Sequence, residues 1–173
     1  EPATRRRHAV ILAAVCALAL AAPVLAANKT WNGGGGDDLW QTGANWGGSA
    51  PLANDVLFFG ASPRLTPDND LGVGTQFNGL TFNAGAGAYT LTGNGIVLGG
   101  NVANSSTSLQ TIGLDLTLNA TRTFSTTSGG GDLWVDGDIG ETGGAWGVTK
   151  SGSGTLTLAT TATRVGPASA PAC

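Results

Sequence analysis

The sequence has no methionine, one histidine and two cysteines among its 173 residues, and only 11% of its residues are charged. The single histidine, His8, precedes an apolar run near the N-terminus, so the chain after that run has no imidazole for a Ser-His-Asp triad or a zinc site. The only cysteine after the run is Cys173, and one thiol cannot form an internal disulfide. These absences remove most classes of hydrolase.

Positive charge is scarce in the part of the chain that we expect to fold. From Ala27 onward we count five Lys or Arg and ten Asp or Glu, which gives a net charge of -5. A basic patch is therefore missing, and this excludes an electrostatic footprint on nucleic acid and disfavours an anionic membrane surface. The hydrophobic content of 41% is too high for a chain that stays unfolded because it cannot form a core.

Glycine is abundant, with 29 residues, about a sixth of the chain against a usual share of ~7%. Thr, Ser, Asn, Leu and Val dominate most of the remainder. Gly and Thr are poor helix formers, whereas short strands joined by Gly and Asn turns suit this composition. The composition predicts an all-β fold.

The N-terminus has the pattern of an export signal. Arg5, Arg6 and Arg7 precede an apolar run over 9–22, and small residues follow up to Ala26. The run is ~14 residues long, which is short for a membrane span of ~20 residues. Residues 1–26 are predicted to be a signal peptide, so the protein is expected to be secreted or on the cell surface, with no membrane span after cleavage.

Apolar and polar residues alternate along much of the chain after Phe77. The clearest case is the segment 112–118, in which Ile112, Leu114, Leu116 and Leu118 are separated by small or polar residues. Strict alternation over four to eight residues is typical of half-buried strands. We expect the segment to be one strand with its four apolar residues inward.

The strands recur at a nearly constant spacing. Leu98, Leu116, Val135 and Leu156 are separated by 18, 19 and 21 residues. A step of about 20 residues is typical of a solenoid, in which each unit packs against its neighbours. We predict a right-handed parallel β-helix, the hand following the usual crossover preference. An antiparallel β-sandwich is the alternative.

The predicted β-helix divides the chain into four segments. After the signal peptide, residues 27–70 form a Trp- and Gly-rich capping segment, and residues 71–159 form the β-helix repeat region. Residues 63–70 are rich in Pro, Asp and Asn and are expected to be a loop. Residues 160–173 are an Ala-, Pro- and Ser-rich tail that we expect to be disordered.

A motif near the end of the repeat region is similar to a known family. Lys150-Ser151-Gly152-Ser153-Gly154-Thr155-Leu156-Thr157-Leu158 resembles the core of the autotransporter-associated β-strand repeat, and the segments 30–34 and 44–47 resemble the stretch that often precedes such repeats. The resemblance covers about residues 30–159. It implies a β-helix passenger segment of a bacterial surface protein, with no catalytic residue in the repeat.

The tryptophans are the strongest candidates for binding. Trp31, Trp40 and Trp46 are expected to cap the first coil, because an uncapped end exposes strand edges. Trp134 should point outward, together with Asp136 and Asp138, and these three are candidate glycan contacts.

Carboxylates leave a second interpretation open. Asp115, expected one coil from Asp136 and Asp138, could form with them a Ca²⁺ site or, with Lys150, a lyase-like site. A solvated face with turn-forming Asp residues is the favoured interpretation. The same holds for Asp37, Asp38 and the segment 68–70, for which turn capping is expected.

The sequence thus predicts a structural passenger segment, a stalk or adhesin-like element without catalysis or cofactor of its own. The alternatives are a non-catalytic glycan-binding module and a β-helix polysaccharide lyase or hydrolase. An extracellular glycan or surface polymer is the expected partner, and an uncovered last coil predicts end-to-end self-association.

Overall fold

The computed structural model of the chain describes residues 25–127 and 131–159. The predicted signal peptide up to residue 24 and the tail 160–173 lie outside the described residues. One short 3-10 helix, Gly43–Trp46, interrupts a series of strands. The strands are β1 (Asn28–Trp31), β2 (Val56–Phe59), β3 (Asp68–Asn69), β4 (Thr75–Phe77), β5 (Leu80–Phe82), β6 (Thr90–Gly93), β7 (Ile96–Leu98), β8 (Val102–Asn104), β9 (Gln110–Ile112), β10 (Leu116–Leu118), β11 (Arg122–Thr126), β12 (Leu133–Val135), β13 (Ile139–Glu141), β14 (Val148–Ser151) and β15 (Leu156–Leu158).

The strands form three parallel sheets through which the chain passes in the same order, coil after coil. Sheet 1 has the order β1-β2-β5-β8-β11-β14, sheet 2 is β3-β6-β9-β12-β15, and sheet 3 is β4-β7-β10-β13. Every strand pairing is parallel. The protein is therefore an all-β parallel β-solenoid, as predicted, and the antiparallel sandwich is wrong.

Alternation along each strand places one set of side chains inside the solenoid. Leu80, Leu116 and Leu133 are fully buried, whereas the residue that follows each of them faces outward. The inward side chains of successive coils lie on one another at the spacing of neighbouring strands, ~4.8 Å. One continuous apolar core results, from Trp31 to Val135.

The length of a coil differs from the spacing in the sequence that predicted it. Leu98 pairs with Leu118, Leu116 with Ile139, and Val135 with Leu158, at register offsets of 20, 23 and 23 residues. Leu116 and Val135 belong to sheets 3 and 2, so the predicted step of 19 residues between them joined two different faces. The repeat was correctly inferred, but its register follows from strand pairing.

The segment 112–118 is two strands and not one. β9 ends at Ile112 and β10 begins at Leu116, so the chain turns a corner of the solenoid between them. Ile112, Leu114, Leu116 and Leu118 are nevertheless all buried, as predicted. Alternation continues through the corner because the apolar side chains there point to the same interior.

The Trp-rich segment 27–70 contributes strands to the solenoid. β1 and β2 belong to sheet 1, and β3 lies within 63–70, a stretch that the sequence predicted to be only loop. β3 has just two residues and pairs with β6 through Asp68 and Asn69. A strand formed by Asp and Asn is invisible to a hydrophobic pattern, because backbone pairing with the next coil alone defines it.

The other end of the described solenoid is less well covered. β13, β14 and β15 are the terminal strands of their sheets, and each pairs with a neighbour on one side. Leu133 of β12 is fully buried, whereas Leu156, its partner in β15, is only half-buried. This end of the core has a different environment from its middle.

Candidate functional site

The three N-terminal tryptophans form a buried aromatic cluster at one end of the core. Trp31 and Trp40 are fully buried and Trp46 is almost so. The ring centroid of Trp46 lies 5.2 Å from that of Trp31 and 5.7 Å from that of Trp40, both in edge-to-face geometry. Edge-to-face pairs add to the burial energy of the rings. The predicted capping role of these residues is confirmed.

The three indole N–H groups of this cluster have different surroundings. Trp31 Nε1 donates to the carbonyl oxygen of Arg64 at 2.9 Å, and Trp46 Nε1 donates to that of Trp40 at 2.9 Å. Trp40 Nε1 is buried without a hydrogen-bond partner. A buried polar group without a partner lowers stability. Trp40 therefore contributes to the cap through its ring and not through its N–H.

This difference predicts unequal effects of replacing each indole by a phenyl ring. Both Trp31→Phe and Trp40→Phe remove volume, but only Trp31→Phe leaves the Arg64 carbonyl without its donor. We expect Trp31→Phe to lower the free energy of unfolding by about 1 kcal/mol more than Trp40→Phe. Urea denaturation followed by far-UV circular dichroism measures both values, and equal losses would contradict the expectation.

Trp134 lies on the outer surface of sheet 2, as alternation predicted. It is the middle residue of β12, it is 39% exposed, and its neighbours in register are Thr111 and Thr157. Asp136, the next outward residue, is exposed just after the strand ends. An exposed indole beside a carboxylate and two threonines offers a flat apolar face with polar groups around it.

Asp138 is at a corner and not on the strand of Trp134. β12 ends at Val135, so 136–138 turn from sheet 2 towards sheet 3. The Asp138 N–H donates to Asp115 Oδ1 at 2.9 Å, which confirms that these two aspartates occupy neighbouring coils. The Asp115 carboxylate thus binds the backbone of the next coil.

The two chemical interpretations of these aspartates gain no geometric support. Lys150 belongs to β14 in sheet 1, and its Nζ donates to the carbonyl oxygens of Ser151 and Gly152. It is not on the corner that holds Asp115 and Asp138. Within 25–127 and 131–159, no three or more His, Cys, Asp and Glu side chains are grouped so that they could hold a metal ion.

The aspartates near the N-terminal cap fix turns. Thr42 Oγ1 and the Leu39 N–H donate hydrogen bonds to Asp37, and these bonds hold the pKa of Asp37 below its ordinary value. Asp38 Oδ1 lies 2.9 Å from Arg64 Nη1 and forms a salt bridge. Turn capping, the favoured interpretation of the sequence, matches these contacts.

A buried polar network links successive coils at the corner between sheets 1 and 2. Gln110 is fully buried; its Oε1 accepts the Tyr89 N–H, and its Nε2 donates to Ser106 Oγ and to the Gly87 carbonyl oxygen. Asn104, also fully buried, donates to the carbonyl oxygen of Asp132 in the next coil. Sequence reasoning missed both residues, because an isolated Gln or Asn in a strand pattern gives no signal of burial.

An open cavity lies at the C-terminal end of the core. It has a volume of about 310 Å³ and lies between sheets 3 and 1 of the last coil. Its lining is mostly apolar, with Glu141 as the charged exception: Leu118, Ile139, Glu141, Trp146, Gly147, Val148 and Leu158. Trp146 Nε1 donates to the carbonyl oxygen of Thr142, so its ring forms one wall. The sequence gave no indication of this cavity.

The fold and these sites define the class of protein as a parallel β-solenoid with an aromatic cap at one end. Comparison with protein-family models, with curated proteins and with solved structures finds no match for this chain. No helix in the part of the chain that the structure describes is long and apolar enough to cross a membrane.

Proposed function

We propose that the chain is a structural segment of a secreted or cell-surface protein, a β-solenoid stalk or adhesin-like element of the passenger type. The observation that carries the proposal is the use of polar side chains as bonds between coils. Groups that could do chemistry are instead committed to holding one coil on the next, which is what a load-bearing element requires.

These inter-coil hydrogen bonds recur at the corners along the solenoid. Asp55 Oδ1 accepts the Ala27 N–H at 2.7 Å, Asp70 Oδ1 accepts the Gln41 N–H at 2.8 Å, and Asp132 Oδ1 accepts the Thr155 N–H at 2.7 Å. Hydrogen bonds to charged acceptors are stronger than neutral ones. Each such carboxylate satisfies a backbone donor where the regular strand ladder is interrupted.

The outer faces favour a stalk over a protein that must be covered on its sides. Thr81, Thr117 and Thr149 occupy outward positions in sheets 1 and 3, and each is half-buried or exposed. Threonine suits exposed strands because it combines β-branching with a hydroxyl that water can solvate. Repetition of such coils gives a rod with a polar wall.

Export is the first requirement of this function and can be measured. With an added initiator methionine, the chain should be exported from a Gram-negative host, and mass spectrometry of the product should give Ala27 as the first residue. Replacing Arg5, Arg6 and Arg7 by Gln should reduce the exported fraction severalfold. An uncleaved product that remains in the cytoplasm would contradict the proposal.

A second candidate function is glycan binding at Trp134, favoured by the exposure of its indole beside Asp136. A polysaccharide array, read for both binding and cleavage, tests the two candidates together. A structural segment is expected to give no turnover and the same result for Trp134→Ala as for the unchanged protein. Binding that Trp134→Ala abolishes would favour the glycan module, and turnover of any polysaccharide would favour the enzyme alternative.

A further inference from the structure

The C-terminal coil presents three strand edges side by side. β14, β15 and β13 are the last strands of sheets 1, 2 and 3, and no described residue pairs with their outer edges. Unpaired N–H and C=O groups on a strand edge are a template for another strand. The apolar cavity lined by Trp146, Val148 and Leu158 opens at the same end.

Two columns of the core end at this coil in side chains of opposite charge. In sheet 3, Leu98 and Leu118 are followed in register by Glu141. In sheet 1, Val102 and Phe124 are followed by Lys150. Both charged residues are exposed, although they occupy positions that are buried and apolar in the preceding coils.

A second copy of the same end would complement these charges. A twofold axis perpendicular to the solenoid axis reverses the direction of winding and can place sheet 2 on its own copy. Sheet 1 of one protomer then lies on sheet 3 of its partner, with the edge strands antiparallel. Lys150 of each protomer faces Glu141 of the partner subunit, so that one symmetric contact contains two opposite-charge pairs.

From this geometry we propose that the protein forms an end-to-end twofold dimer through its C-terminal coil. β15 pairs with its own copy, and β14 pairs with β13 of the partner. The cavities of the two protomers meet and exclude water from Trp146, Val148 and Leu158. A second copy is a better occupant than residues 160–173, because Pro167 and Pro171 lack the backbone N–H that a strand edge requires.

Charge reversal at the two positions tests the dimer and its symmetry. The unchanged protein should dimerise with rising concentration in sedimentation velocity. Glu141→Lys places two lysines opposite each other at each of two contacts, and Lys150→Glu does the same with carboxylates. Each single change should raise the dimer Kd at least about tenfold. The double variant Glu141→Lys with Lys150→Glu restores opposite charges and should restore the original Kd.

The controls separate loss of dimer from loss of fold. Thr81→Lys adds a positive charge on the outer face of sheet 1, three strands from β14, and should leave the dimer Kd unchanged. Far-UV circular dichroism checks that each variant keeps its strands. A monomer at every concentration, as expected if residues 160–173 cover the end, would overturn the proposal. So would a double variant as weak as the single ones.

Discussion

Leu116→Ala should lower the free energy of unfolding by about 2–5 kcal/mol, and Leu156→Ala by clearly less. Leu116 is fully buried in β10, between Ile96 of β7 and Ile139 of β13. Removing its side chain leaves a cavity that neighbours on both sides prevent from collapsing. Leu156 is half-buried in β15 and has a register partner on one side only, Leu133.

Chemical denaturation at low protein concentration measures the two losses without a contribution from association. The same substitution at two inward positions keeps the lost transfer energy equal, so the difference reports the surroundings. A solenoid is stabilised by contacts between neighbouring coils, and the last coil has half of them. Equal losses for the two variants would mean that another part of the chain covers the end coil.

Gly137→Ala is expected to destabilise the protein by about 1–3 kcal/mol or more, whereas Gly140→Ala should not destabilise it. A Cβ atom added at Gly137 would lie 2.2 Å from the carbonyl oxygen of Leu114 in the preceding coil. The contacted atom is backbone, so relief requires the corner itself to move. At Gly140 nothing lies within 4 Å of an added Cβ.

Gly140 is a matched control, because it lies three residues along the same coil and loses the same backbone freedom in the unfolded state. Thermal unfolding of both variants, followed by circular dichroism, gives the comparison. A Tm unchanged by Gly137→Ala would show that the coils can separate at this corner. A marked loss for Gly140→Ala would mean that sheet 3 is tighter at β13 than the backbone indicates.

The two glycines show how local sequence and tertiary structure divide the work. A glycine at 137 is unremarkable in a chain with 29 of them. Only the stacking of one corner on another makes it necessary, through an approach between residues 23 positions apart. The same stacking gives Asp115 its role, because its carboxylate accepts the N–H of Asp138 in the next coil.

The composition, the alternation and the recurrence of strands determined that this protein is an all-β solenoid with a Trp-rich cap. Alternation specifies which side chains are buried before any pairing is known, so Leu80, Leu116 and Trp134 could be placed correctly. The short strands leave each coil dependent on its neighbours, which is why recurrence indicates a stack.

The register, the corners and the ends were decided by tertiary structure. Backbone pairing is independent of side-chain type, so β3 at Asp68 and Asn69 and the offset of Leu116 to Ile139 have no signature in the sequence. The burial of Gln110 also depends on a corner that its neighbours form. Glu141 and Lys150 lie at one end of the core because strand pairing aligns them with apolar residues more than 20 positions earlier, and no local pattern contains that alignment.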